Sequence, residues 1–474
     1  MHRTTRRLAA VTAVALTLVT SPLAYAQQTT TAAPGARPNS VPPAVDRSAR
    51  PRAEAPRPDV AYTKQKVCIT SDTKDRPLPQ KPWGQMQLRL EEAHRFATGK
   101  GVTLAIIDTG VNGNHPRLAG RVKGGGDYVS NEGGTVDCDG HGTEVAGVAA
   151  ASRDDSTGFV GAAPEANVLA FRQTSDYYHF EDKANPANNR PTAGKVHTLA
   201  QAIVMAAEAG VEVINISLTA CEQPKEPSQQ ERELQAAIDY AVNTKDVVIV
   251  TAAGNLSSNN TGCAAQNDNQ DAGTVNVVAS PPWYSDDVLS VASMNRAGDP
   301  SSFTVWGPWI SVAAPGEDIT TLDPAGNGLT NANRDERGAL SRIQGTSFAS
   351  PYVAGVVALV RQRFPNLKAH QVMDRIKATA QHPGNPDGRD HKIGAGMINP
   401  VAALTAELPS EQGVKAAEPT QLITNLDPVN PPDNTPMVVA LAGTGAGVGL
   451  LLLTLFIVHT VNRNRSRPTR RSTV

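Results

Sequence analysis

The stretch Val102–Val111 reads VTLAIIDTGV. Its apolar residues run through Ile107 without the alternation of a half-exposed strand, then stop at Asp108-Thr109-Gly110. A short run that is apolar on both faces and ends in turn residues is the pattern of a strand buried on both sides. Val168–Arg172, Val211–Leu218, Asp246–Gly254 and Val288–Met294 have the same form. Between and after them, segments 141–151, 197–209, 228–243, 346–363 and 367–380 have helical period and composition. Strands alternating with helices predict an α/β fold, a parallel sheet with helices on both faces. In such sheets functional groups gather at the carboxyl ends of the strands, and Asp108 stands at one.

The chain has 474 residues, room for one large domain or two ordinary ones. Lys and Arg number 44 against 45 Asp and Glu, a balance that gives no case for nucleic acid as a partner. The two ends differ from the middle. Arg3, Arg6 and Arg7 precede an apolar run that closes on Ala24-Tyr25-Ala26, so residues 1–26 are expected to be a cleaved signal peptide. Residues 27–83 are rich in Pro, Ala, Thr and Arg and hold no regular period, as expected of an extension without its own core. Met437–Val458 carries no charge over 22 residues. That length crosses about 30 Å of hydrocarbon, so 437–459 is expected to be a transmembrane helix. A Pro-rich linker, 409–436, leads into it. Arg463, Arg465, Arg467, Arg470 and Arg471 make 460–474 a basic tail, which the positive-inside rule keeps cytoplasmic. The main domain, 84–408, is then outside the cytoplasm. Four cysteines in an exported domain read as two disulfides, with three connectivities open.

Three short motifs carry chemistry. LAIIDTGV ends a strand at Asp108, DGHGTEVAGVAAA starts a small-residue helix at His141, and GTSFASPYVAG starts another at Ser347. Each has an ordinary structural use, since Asp can end a strand and Ser can cap a helix. Together they supply a carboxylate, an imidazole and a hydroxyl at one edge of the sheet. A serine hydroxyl is a poor nucleophile until a base removes its proton. Imidazole does this near neutral pH and later protonates the leaving amine. A carboxylate holds the imidazole in the right tautomer. VVIVTAAGN ends at Asn255, whose amide, with the Ser347 backbone N–H, suits an oxyanion hole. Gly140, Gly142, Gly345 and Ala349 leave room for close approach.

The order Asp108, His141, Asn255, Ser347, in the contexts DTGV, HGTEVAG, AAGN and GTSFASP, resembles the subtilisin-like serine proteases. INISL and His115-Pro116 add further blocks, and the matches lie between Gly84 and Ala406. The resemblance implies a subtilisin-like sheet, a triad of Asp108, His141 and Ser347, and an oxyanion donor at Asn255. Within that family, the succession of signal peptide, Pro-rich extension, protease domain, membrane helix and basic tail is similar to the mycosins. These are membrane-anchored proteases of actinobacterial type VII secretion systems. WYSDDVLSVASMN, SFTVWGPWISVAAPGE and NLSSNNTGC resemble the same subgroup. What this implies is an extracytoplasmic protease acting on secreted protein substrates, with subunits of the secretion membrane complex as partners and a role in stabilising that complex. It also implies the disulfides Cys68–Cys138 and Cys221–Cys263. No cofactor and no metal are expected.

The pattern departs from the broad family in places. Thr219-Ala220 follows Ser217-Leu218 where Gly is common, so the P1 pocket cannot be copied across. Phe348 follows the nucleophile where Met is common, a change in packing. The extension is too Pro-rich for a folded inhibitory propeptide and is expected to wrap the domain, tethered by Cys68. Gln173–Lys195 is a long polar insertion near the cleft, either a gate or partner contact or a solvated loop. A single Asp-Thr-Gly argues against an aspartic protease, which needs two carboxylates. His141-x-x-Glu144 has no third ligand spaced to complete a metal site. The rival from outside enzymes is a scaffold of the secretion machinery whose protease site is secondary.

Overall fold

The computed structural model describes residues 39–71, 78, 80–257, 262–268, 273–334, 339–414, 417 and 435–465. The expected signal peptide and the tail beyond Arg465 lie outside the described residues. The apolar run after Val102 forms strand β1 (Thr103–Asp108), with Leu104 through Asp108 fully buried. Joining it are β2 (Val122–Asp127), β3 (Asn167–Arg172), β4 (Val213–Ile216), β5 (Val248–Ala252), β6 (Val288–Met294) and β7 (Val312–Pro315). The seven stand in the order β7-β6-β5-β4-β1-β3-β2, and every neighbouring pair is parallel. The chain's direction of progress across the sheet reverses between β1 and β4. A crevice opens beyond the carboxyl ends of strands at such a reversal.

Strands β2 and β7 are not legible as strands in the sequence. β2 reads Val-Lys-Gly-Gly-Gly-Asp and has almost no side chains to show a period. Two of its glycines have a tertiary cause: a Cβ on Gly125 would lie 2.5 Å from the Phe171 ring of β3, and one on Gly126 2.4 Å from Pro56. β7 is only four residues long and ends in Pro315, at the edge of the sheet where a missing N–H is tolerated.

The longer helices of the domain are α1 (His141–Ala150), α2 (Val196–Glu208), α3 (Gln229–Asp239), α4 (Thr346–Arg363) and α5 (Ala369–Ala378). α1 packs against α4, and α2 against α3. α4 is buried continuously from Thr346 to Arg361, so its small residues Ala349, Ala354 and Gly355 bring it close to the sheet and to α1. A Cβ on Gly355 would meet the Ala149 carbonyl at 3.0 Å. α3 gives way at Tyr240 to one π-helical turn, Tyr240–Thr244, at the end of the expected 228–243 helix.

The described residues of the Pro-rich extension form no core of their own and lie along the domain. The Ser40 carbonyl accepts from Trp283 Nε1 at 3.1 Å and that of Pro43 from Gln235 Nε2 at 2.7 Å. Arg47 grips Asp239 at 2.9 and 3.1 Å. Thr63–Lys64 then pairs antiparallel with Tyr178–His179, inside the long polar insertion. That insertion is therefore a folded clasp for the extension. It is itself held from beneath by Arg172, which is fully buried, bonds Glu132 at 2.9 Å and lies 4.6 Å under the Tyr178 ring. Cys68 is bonded to Cys138 with Cα atoms 4.5 Å apart, and Cys221 to Cys263 at 5.0 Å.

At the other end the folded body continues past Leu408, where the linker was expected to begin. Glu411 is 8% exposed and meets the buried Arg375, whose Nε lies 3.0 Å from both of its oxygens. A buried guanidinium needs such a carboxylate, and the segment after Leu408 supplies it. Thr435–Arg465 is one helix, of which Met437–Arg463 is long and apolar enough to cross a membrane, with mean hydropathy 2.2 and none of it buried in the protein. It outruns the expected 437–459 because residues 460–465 contain neither Gly nor Pro to stop it. Thr444, Thr454 and Thr460 turn their hydroxyls back onto carbonyls four residues earlier, each at 2.8 Å, which satisfies them without water.

Candidate active site

β1 delivers Asp108 to the crevice with its side chain fully buried. Its Oδ1 accepts from the Thr109 backbone N–H at 2.8 Å and from His141 Nδ1 at 2.7 Å. A carboxylate can only accept, so in the neutral imidazole the His141 proton sits on Nδ1 and Nε2 keeps its lone pair. The two residues are 33 apart in sequence. They meet because the first turn of α1 rests on the loop after β1. A Cβ on Gly142 would lie 1.9 Å from the Gly110 carbonyl oxygen, so only glycine permits this approach.

The His141 side chain is 31% exposed, open to the crevice on one side. Burial disfavours its charged form, but the charge and hydrogen bond of Asp108 outweigh this, with Glu144 and Asp137 adding to them, and the pKa rises from 6.5. Glu144 lies one turn along the same helix face and is 2% exposed. Burial pushes its carboxyl up to about 8, against the pull of His141 and of a hydrogen bond from Asn333. Among the described residues no group of three or more His, Cys, Asp or Glu side chains is arranged to hold a metal ion.

Ser347 is the second residue of α4 and is 8% exposed. The Phe348 ring packs on the His141 ring with centroids 5.4 Å apart, which sets this first turn against the imidazole. Pro351 lies inside the helix and has no N–H, so the carbonyl four residues before it, that of Ser347, loses its helical donor. Ser217, just beyond β4, donates its hydroxyl to that carbonyl at 2.9 Å. Ser217 was legible only as part of INISL; its use follows from Pro351.

Asn255 follows β5 and is exposed. Its Oδ1 accepts from the Thr346 N–H at 3.0 Å and from the Thr346 hydroxyl at 3.1 Å. With the oxygen so held, the amide Nδ2 is the end left to donate. A Cβ on Gly345 would sit 3.0 Å from Ser347 Oγ and 3.4 Å from Asn255 Nδ2, so the hydroxyl and the amide flank one small space in front of Gly345. Gly345 has φ 147° and no side chain, which keeps that space open. The fold thus brings Asp108, His141, Asn255 and Ser347 to one edge of the sheet. A hydroxyl, a base with a fixed tautomer and an amide donor in this arrangement are the groups needed for acyl transfer.

The model of the subtilase family matches residues 99–396. Mycosin-1 of Mycolicibacterium smegmatis is 41% identical over 419 residues, 85% of this chain and 90% of the relative. A crystal structure of MycP1 from the ESX-1 type VII secretion system is similar with a TM-score of 0.71 and 42% identity, over 78% of this chain and 96% of that one. A chain in the structure of an intact ESX-5 inner membrane complex is similar with a TM-score of 0.70 and 35% identity, over 88% and 99%. On these grounds the chain belongs to the subtilase family, and within it to the mycosins, the subtilisin-like serine proteases it matches along most of its length.

Proposed function

We propose that the chain is a membrane-anchored endopeptidase with Ser347 as nucleophile, His141 as base and Asp108 as its orienting carboxylate. One observation carries this reading: the 2.7 Å bond from His141 Nδ1 to the buried Asp108, beside a helix start where Ser347 and Asn255 flank one space. His141 Nε2 takes the Ser347 proton as Oγ attacks the peptide carbonyl carbon. The oxygen, now negative, is held by the Asn255 amide and the Ser347 N–H. His141 then gives the proton to the leaving amine, and water repeats the sequence on the acyl-enzyme. The protease domain stands outside the cytoplasm, the helix within Met437–Arg463 spans the membrane, and the basic tail stays inside. Its substrates are proteins secreted by a type VII system, a reading supported by the similarity to a MycP1 from such a system. The test is labelling of the full chain by a fluorophosphonate, with Ser347→Ala beside it. Labelling at Ser347 alone is expected; none, in a folded protein, overturns the reading.

A second role is favoured by a separate observation, the similarity to a chain of an ESX-5 inner membrane complex over 88% of this chain. On this reading the domain also stabilises the secretion complex. Ser347→Ala is then expected to keep the complex assembled while losing proteolysis. Loss of the complex in that variant refutes a scaffold role independent of catalysis.

A further inference from the structure

Asp137 lies four residues before His141 and belongs to neither the triad nor a disulfide. Its carboxylate takes four hydrogen bonds, all from the two segments that carry Asp108 and His141. Oδ1 accepts from the Thr109 hydroxyl at 2.9 Å and from Gly140 N at 2.7 Å. Oδ2 accepts from Thr143 N at 2.8 Å and from the Thr143 hydroxyl at 2.6 Å. Both hydroxyls also accept across the same joint. Gly142 N donates to Thr109 Oγ1 and Asn112 N to Thr143 Oγ1, each at 2.8 Å. Each threonine therefore gives its proton to Asp137 and receives a backbone N–H. Thr143 receives one from the loop after β1, and Thr109 one from the first turn of α1.

The position has a local cause. Gly140 caps α1 and has no side chain to meet the unpaired N–H groups of the first turn. Asp137 meets the Thr143 N–H, as an ordinary capping residue would. Its remaining bonds go beyond capping, since they reach Thr109, the residue directly after Asp108. Four donors converge on it, and only an acceptor-only group of this size satisfies them; Asn, of the same shape, would turn an NH2 toward two of them.

We propose that Asp137 is a positioning residue that sets Asp108 against His141, so that the bond between those two is held in register from outside the pair. This rests on the proposed triad. Misplacing reacting groups by about 1 Å costs roughly a hundredfold in rate. A plain helix cap would cost stability and leave the rate per folded molecule unchanged.

The experiment uses the full chain in detergent and the variants Asp137→Asn, Thr109→Val and Thr143→Val. Two quantities are read on each folded variant. One is the second-order rate of fluorophosphonate labelling; the other is the low-field proton resonance of the His141–Asp108 hydrogen bond. Expected for Asp137→Asn are a loss of about a hundredfold in rate and a shifted or missing resonance. Each threonine variant alone loses less, and adding Thr109→Val to Asp137→Asn costs less than the two separate losses multiplied, because the Thr109–Asp137 bond is already gone while that from Gly142 N is not. Wild-type rate and resonance in folded Asp137→Asn overturn the proposal, as do losses that multiply in the double variant. If Asp137→Asn does not fold, unchanged labelling and resonance in both threonine variants overturn it. A wild type that has the resonance but does not label refutes the triad's catalytic role, and the resonance in Asp137→Asn still decides that of Asp137.

Discussion

Replacing Gly142 by Ala tests whether the joint between β1 and α1 governs the reaction. The added Cβ would lie 1.9 Å from the Gly110 oxygen, 3.0 Å from its carbonyl carbon and 3.2 Å from the Asp108 Cβ. Real Cβ contacts do not fall below 3.0 Å, so the gap to that oxygen must widen by roughly 1 Å. The atoms in the way are backbone on both sides, which leaves no side chain to swing aside. The displacement therefore falls on the joint that His141 Nδ1 and Asp108 span at 2.7 Å. Overpacking of this kind costs about 1–3 kcal/mol of stability. Misalignment by about 1 Å costs roughly a hundredfold in rate, about 2.7 kcal/mol on the barrier. The assay is the rate of fluorophosphonate labelling per folded molecule, with thermal unfolding alongside. Gly328→Ala is the control, because nothing lies within 4 Å of its added Cβ. A Gly142→Ala protein that labels at the wild-type rate refutes the reasoning, whatever its stability.

Other outcomes follow from the same geometry. Labelling is expected to rise with pH through an ionisation above 6.5: burial opposes the His141 charge, but Asp108 outweighs it, and the imidazolium cannot take the Ser347 proton. The sign for stability is opposite, since a raised His pKa stabilises below 6.5 and that contribution is lost as pH climbs through the folded value. Asp108→Asn should therefore move the labelling limb to lower pH and destabilise more in acid than in alkali; a limb that stays in place refutes this. Ser217→Ala leaves the Ser347 carbonyl without a donor, because Pro351 has none, and should cost about 1–3 kcal/mol by denaturant unfolding. Arg172→Met strips a buried cation from Asp127 and Glu132 and should cost about 3–5 kcal/mol, with an unchanged unfolding midpoint counting against it. Cys68→Ser should cost about 2–4 kcal/mol and make the extension cleavable by added protease near Val67, which is 87% exposed.

Much of the framework is local and so was legible in the sequence. Strands apolar on both faces, such as Leu104–Ile107 and Val248–Val250, need no partner to be recognised, because burial on two sides leaves a continuous apolar run. The ends of such strands, and the starts of the helices after them, mark where Asp108, His141, Asn255 and Ser347 would stand. Strand β2 was not legible, since its Gly125 answers to the Phe171 ring, a contact 46 residues away in sequence that leaves no period behind. The Gln173–Lys195 insertion reads as a gate, a partner contact or a solvated loop, because its pairing with Thr63–Lys64 is made to a segment with no pattern of its own.

The sequence by itself determined the kinds of groups available, their order and the strand and helix ends that carry them, because these depend on residue type and on neighbours along the chain. It also determined the apolar helix near the C-terminus, since length and lack of charge are local properties. Only the tertiary structure decided how those ends meet. Gly142 against Gly110, Asp137 between Thr109 and Thr143, and Ser217 beneath Ser347 each join segments distant in sequence. The first is a matter of excluded volume, and the other two of donors and acceptors removed from water that must find each other.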